Sequence, residues 1–552
     1  MKSLTKYMIA AVAALSTVSC SDFLDTTPKD ALSPSTTWKT QDDADKFLTG
    51  CYDYWEDPTA LLYWDCGSDF GYNNFPHEGF KSIGNGTMTQ SNPGWSFYDF
   101  GTIRRVNEFL ANVDKCSFSS DAVKEDMKAQ ARFIRAYRYF VMNWNYGGVP
   151  IIKNYENASE ALVPRNSEEE VKTYINNELD DILRADSINA APAQRGRIAK
   201  GAVLALRMRS ALYYDDWAKA KECAEKIIAL NQYSLDPDYK NLFTLAGQSS
   251  PEIILATNSS LETLKGFYYI GVMYNNAEGG WSSLVPTMNL VDTYEMANGL
   301  TKDEAGSGYD ATHPFNNRDP RMAMSIIYPG RNYVKPDGST AIFNTLDKTI
   351  AGADNANYYT AADNASKTAM SWAKYTDPIT QYSDIWNTSA NAIIFRYAEV
   401  LLTYAEASNE INGPADTKIY DYLDMVRTRA GMPVVDRAKY NTKDKLRELI
   451  HRERAVELAG EGLRRADILR WKGTDGKPLA NTVLNGVLNH PVGTVSMDTS
   501  VPEGMRATIN PNAAASDMKI EDRKFNSYNR YLPIPEAAIN ANKNLKQNEG
   551  YN

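Results

Sequence analysis

Two helical runs joined by two residues place the tightest constraint on how this chain can fold. Ile198 to Tyr214 and Trp217 to Leu230 both carry apolar residues at helical spacing, and only Asp215 and Asp216 separate them. So short a connection makes an antiparallel hairpin. The small residues Ala202, Ala205, Ala211, Ala220 and Ala224 let the two backbones approach closely. A lone hairpin cannot bury its apolar face, so further hairpins must stack on it.

That unit resembles a tetratricopeptide hairpin. Other segments follow the same period. Gln41 to Tyr54 and Tyr98 to Val113 read as helices, and Asp121 to Trp144 is the clearest, ending where Gly147, Gly148 and Pro150 break it. Ser167 starts another, with Glu168, Glu169 and Glu170 in its first turn, favourable against the helix dipole. From about Asn231 to Thr388 the chain turns rich in Gly, Asn, Pro, Ser and aromatics, which predicts a loop-rich lobe with short strands. Helices resume at Ala392 to Ile411, Thr417 to Ala430 and Lys443 to Trp471. The expected fold class is mainly α, a helical-hairpin scaffold holding an irregular lobe. At this length we expect two or more packed lobes, divided as 20–230, 231–391 and 392–552.

Residues 1–19 read as a secretory signal. Lys2 and Lys6 form a basic start, Met8 to Leu15 a short apolar run, and small residues lead up to Cys20. The apolar run is too short to span a bilayer. Thr17-Val18-Ser19-Cys20 fits a relaxed lipobox, with Thr17 where many carry Leu, so Cys20 is the expected lipidation site and membrane anchor.

Composition narrows the function. The formal net charge of −10 argues against nucleic acid, which needs a clustered basic face. His77, His313, His451 and His490 are far apart, so no histidine metal site is expected; calcium at the Asp/Asn-rich loops is left open, with no DxDxDG loop to support it. No cofactor is expected. Cys51, Cys66, Cys116 and Cys223 lack CxxC spacing, and their pairing is left open.

Six segments together resemble the SusD/RagB family of Bacteroidetes: SDFLDTTP after Cys20, ARFIRAYRYFVMNWNYGGVPII at 131–152, RYAEVLLTYAEASNE at 396–410, VRTRAGMP at 426–433, RERAVELAGEGLRRADILRW at 452–471 and YLPIPEAAINANKNLKQNEGY at 531–551. The acidic residues after Cys20 are similar to a surface-export signal of that group. The resemblance implies four tetratricopeptide-like hairpins beside a ligand-binding lobe, and a lipoprotein partnering a TonB-dependent transporter. It also implies an oligosaccharide ligand, or a peptide in the RagB branch.

One enzyme-like pattern stands out. Glu453, Glu457 and Glu461 repeat every four residues, which on one helix puts neighbours ~5–6 Å apart. Retaining glycosidases separate their carboxyls by about 5–5.5 Å. Yet those enzymes place carboxylates on opposite sides of a sugar, whereas one helix gives a flat stripe. Arg452, Arg454, Arg464 and Arg465 lie close in sequence, and Arg396, Glu399 and Glu406 form a second stripe. An ion-pair network fixing helix register is the expected role, and the chain is not expected to be an enzyme. GxSxG and HExxH are also absent.

Sugars present apolar faces to aromatic rings and hydroxyl rims to amides and carboxylates. Two loop segments offer both: Trp64 to Trp95, with Asp69, Tyr72, Asn73 and Asn74, and Phe267 to Trp281, with Tyr274. Trp281, after Gly279 and Gly280, is the first candidate for ligand contact, Tyr274 the second and Tyr72 the third. The resemblance supports Trp281, since the starch-binding member has a Trp after Gly in its corresponding segment. Trp144, Trp217 and Trp471 read as core, while Trp372 and Trp386 fit either role. Glycan capture leads; peptide capture, an envelope hydrolase and a pure protein-interaction scaffold are the alternatives.

Overall fold

The principal helices are α1 (Gln41–Tyr52), α2 (Gly101–Asn112), α3 (Asp121–Tyr146), α4 (Glu168–Ala185), α5 (Lys200–Tyr213), α6 (Trp217–Ala229), α7 (Tyr397–Asn412), α8 (Lys418–Arg429), α9 (Lys443–Glu457) and α10 (Arg464–Arg470). The computed structural model describes residues 38–551 apart from 54, 156, 158 and 260–267. Cys20 and the leader lie outside the described residues.

Local chemistry sets the helix ends. Thr40 with Asp43, and Ser167 with Glu170, form capping boxes on α1 and α4. Gly147 ends α3 in the left-handed region, where a Cβ would also lie 2.8 Å from the Tyr531 ring. Asp215 turns the chain at φ 58°, and the Asp216 side chain caps α6. The predicted α5–α6 hairpin is therefore present.

The hairpins stack as the small residues require. α3 packs on α4, α5 on α6, and α7 on both α6 and α8, with α9 against α7. Helix α5 is buried on every side from Gly201 to Tyr213. Its two arginines consequently need partners: Arg207 meets Asp180 at 3.0 Å, and Arg209 clasps Glu399 at 2.8 and 2.6 Å. One apolar cluster runs from Ala44 to Tyr551 and includes residues of all three predicted segments.

Residues 231–391 are loops, short 3-10 turns, two-stranded ladders and two six-residue α-helices, Met288–Thr293 and Pro320–Ser325. Two segments differ from the sequence reading. Ile393–Arg396 is a strand, β4, paired with β2 (Ile253–Ala256), so α7 starts only at Tyr397. The span Lys443 to Trp471 is two helices, because Gly460 and Gly462 both adopt φ 76°. Glu461 thus sits in the break between α9 and α10, and the three glutamates do not share one helix.

The partners of those glutamates also come from farther away than expected. The β2–β4 ladder sets Arg396 beside Glu252 at 2.6 Å, and Arg396 reaches Glu457 at 2.8 Å. Arg321 contacts Glu453 at 3.0 Å and Glu457 at 3.2 Å, while Arg427 and Arg429 pair with Glu453 and Glu457. Of the sequence-adjacent arginines, Arg452 pairs with Glu295, Arg454 with Asp467 and Arg464 with Asp69. Arg465 donates to the carbonyls of Gly67 and Asn529. Burial works to raise the Glu457 pKa, and Arg429, Arg396 and Arg321 overcome it, holding the carboxylate ionised.

Candidate functional site

The two aromatic loop segments meet. Strand β1 (Gly71–Asn73) pairs antiparallel with β3 (Leu284–Pro286), setting Tyr72 opposite Val285 and Asn73 opposite Leu284. The Asn74 N–H extends the ladder to the Ser283 carbonyl at 2.8 Å. Residues more than 200 positions apart thereby build one surface.

Trp281 rides on a tight turn just before β3. Gly279 takes φ 79°, and a Cβ on Gly280 would sit 2.2 Å from the Tyr274 carbonyl oxygen, so only glycine fits there. The chain then folds back, with Ser282 N–H on the Tyr274 carbonyl at 2.8 Å. The described residues include all ten tryptophans, and only Trp281 is exposed, at 45%.

A second indole stands next to it. The Trp281 and Trp386 ring centroids are 4.5 Å apart, with planes at 48°. Gly271 joins the two: its carbonyl accepts from Trp281 N–H at 3.2 Å, and its N–H donates to the Ile385 carbonyl at 2.9 Å. A Cβ on Gly271 would stand 2.6 Å from the Trp386 ring. Trp386, half-buried, is held further by its N–H on the Asp384 carboxylate at 2.8 Å. Its place beside Trp281 follows from a contact with the bare backbone of Gly271, over 100 residues away, which no local pattern encodes.

The other predicted contact residues support this surface from within. Tyr274 is buried and donates its hydroxyl to the Thr376 carbonyl. Tyr72 is buried, and its hydroxyl accepts from Lys81 Nζ at 2.9 Å. Asn73 donates to Glu78 and to the Ser283 carbonyl, and Asn74 to the Asp363 carbonyl at 2.7 Å. Asp69 holds Arg464 through two bonds of 2.9 Å. Each side chain is thus committed inside the protein, and of the six only Trp281 presents itself to solvent. Trp144, Trp372 and Trp471 are buried, while Trp217, expected in the core, is only half-buried.

Behind the turn, Glu278 lines a cavity of about 10 Å³, the size of a single water, with Tyr274, Tyr333 and Trp372. Burial pushes its carboxyl up to about 7, against the pull of a Tyr333 hydrogen bond. Asn276 and the Ala277 N–H fasten the turn to Ala356 and Asn357 at 3.1 and 3.0 Å. The result is a rigid aromatic platform, not a deep cleft.

Neither His, Cys, Asp nor Glu forms a group of three able to hold a metal among the described residues. The four described cysteines are free thiols, all buried. No described helix is long and apolar enough to cross a membrane.

Comparison with known proteins gives one consistent answer. The chain is 26% identical over 503 residues to the starch-binding protein SusD of Bacteroides thetaiotaomicron, covering 83% of this chain and 78% of that one. It is 24% identical over 514 residues to a SusD-like protein of Bacteroides ovatus, covering 85% and 82%. The crystal structure of a SusD-like carbohydrate binding protein from Bacteroides fragilis superposes with a TM-score of 0.78 at 25% identity, over 93% of this chain and 100% of that one. The sequence profile of the SusD family matches residues 251–551, from the edge of β2 to the C-terminal segment. This chain belongs to the SusD family.

Proposed function

We propose that this protein is a non-catalytic glycan-binding lipoprotein of the bacterial outer membrane, which holds oligosaccharide on the Trp281–Trp386 platform and delivers it to a partner TonB-dependent transporter. The exposed indole of Trp281 on its rigid turn carries the reading. An exposed ring fixed in place stacks on a sugar face with little loss of conformational freedom. The names of two relatives, a starch-binding protein and a carbohydrate binding protein, support the ligand class. The absence of catalysis is supported by the commitment of Glu453, Glu457 and Glu461 to buried cations. Cys20 would supply the anchor.

The test is a glycan-array or affinity-gel screen of the protein lacking residues 1–20, with product analysis of any polysaccharide retained. Retention without cleavage is expected, weakened at least tenfold by Trp281→Ala (about 1.4 kcal/mol). Release of cleaved product, or equal retention by the variant, overturns the proposal.

A further inference from the structure

A groove of about 330 Å³ opens between the Met288–Thr293 helix, the turn at 301–303 and the α9–α10 pair. This volume is within the range of small-ligand clefts, ~300–1,000 Å³. Among the described residues, smaller cavities elsewhere hold about 70 and about 10 Å³. The Trp281 platform uses none of the groove's residues.

One wall is apolar. The His451 imidazole lies on the Trp471 indole with centroids 3.8 Å apart and planes 13° from parallel, beside Ala455 and Leu479. Trp471 is pinned by its Nε1 on Glu406 at 2.8 Å. Burial holds the imidazole below its ordinary pKa, against the pull of Glu406 3.6 Å away.

The cations around the groove are already engaged. Arg452 donates to Glu295 at 2.8 Å and to the Tyr440 hydroxyl at 2.9 Å. Arg464 is bound to Asp69, and Lys302 lies 3.3 Å from Asp303. Asp292 differs. Its carboxyl lines the groove half-buried and, among the described residues, makes no ion pair and no side-chain hydrogen bond. Burial pushes its pKa up, with Lys302 and Arg318 opposing only from beyond ion-pair distance. A half-buried carboxylate without a counterion is unfavourable, and an incoming cation relieves it. An anion would find every nearby cation taken. A metal would find a single free carboxylate.

We infer that this groove binds an alkylammonium group, its carbon stem on the His451–Trp471 ledge and its charge against Asp292. The group belongs either to a free amine or to a lysine side chain of a peptide. Calorimetric titration of the protein with pentylamine and with Ala-Lys-Ala separates the two sources, and Ala-norleucine-Ala serves as the neutral control. Binding of one or both cationic probes, with the control at least tenfold weaker, is expected. Asp292→Asn should weaken that binding at least tenfold while melting with the parent protein, and Thr293→Trp, which fills the groove and leaves Asp292 in place, should abolish it. Trp281→Ala should leave it unchanged, which separates this site from the glycan platform. Equal binding of the neutral control, absence of binding by both cationic probes, or an Asp292→Asn or Thr293→Trp variant within twofold of the parent overturns the inference.

Discussion

Arg396 and Glu461 face each other through two parallel bonds, Nε to Oε2 at 2.7 Å and Nη2 to Oε1 at 2.8 Å, with almost no exposed surface on either side chain. The arginine closes strand β4, and the glutamate occupies the glycine-flanked break after α9. Two backbone irregularities are thus locked by one bidentate pair. Lys374 adds a third charge, 2.7 Å from the same carboxylate.

Removing that carboxylate should cost stability and leave ligand binding intact. Burial works to raise the Glu461 pKa, but Arg396 and Lys374 outweigh it and keep the group charged. Burial also holds Lys374 down to about 8, so it depends on Glu461 to stay protonated. Glu461→Ala leaves a buried ammonium without a carboxylate, a loss of ~3–5 kcal/mol. Scanning calorimetry should show a clear fall in melting temperature, with unchanged affinity per folded molecule. A variant that melts with the parent would remove the network from its structural role.

Asp65 should make stability fall as pH rises. Its carboxylate is buried and accepts from the Gly460 N–H at 2.6 Å, with no ion pair; burial pushes its pKa up to about 7. The folded state therefore holds a proton that the unfolded chain, titrating near 4, has released. The stabilising contribution of that proton is full below about pH 4 and is lost progressively up to about pH 7. Asp65→Asn cannot titrate, so its stability relative to the parent should climb by on the order of a few kcal/mol across that window. Urea melts at pH 4, 5.5 and 7 measure the climb, and a flat difference would contradict it.

Gly271 should matter to the platform although it offers no side chain. Gly271→Ala places a methyl 2.6 Å from the Trp386 ring, which must move away and leave Trp281 without its neighbour. Glycan affinity should fall several-fold, by less than in Trp281→Ala, and the tryptophan emission should shift. Unchanged affinity and emission would mean that the two indoles act independently.

The scaffold was readable because its signals are local. Helical period, the Asp215-Asp216 turn, the helix start at Ser167 and the Gly147 stop each act within a few residues, and the structure has all of them. The acidic–basic stripe was readable in kind but not in its partners. Spacing along 443–471 suggested one helix, yet Gly460 and Gly462 turn the chain, and the cations arrive from Arg321, Arg396, Arg427 and Arg429.

For the candidate site the sequence determined which segments carry aromatics, amides and glycines, and hence where to look. Tertiary structure decided which of those residues face solvent. Composition does not distinguish an amide that rims a ligand from one that fastens backbone carbonyls, and Asn73 and Asn74 do the latter. Tyr72 and Tyr274 are aromatics in the right loops, but the β1–β3 pairing and the turn beneath Trp281 cover them. Trp386 gained its place only through contact with Gly271. Burial is set by contacts between residues more than 100 positions apart, so it is a property of the folded chain and not of any window of its sequence.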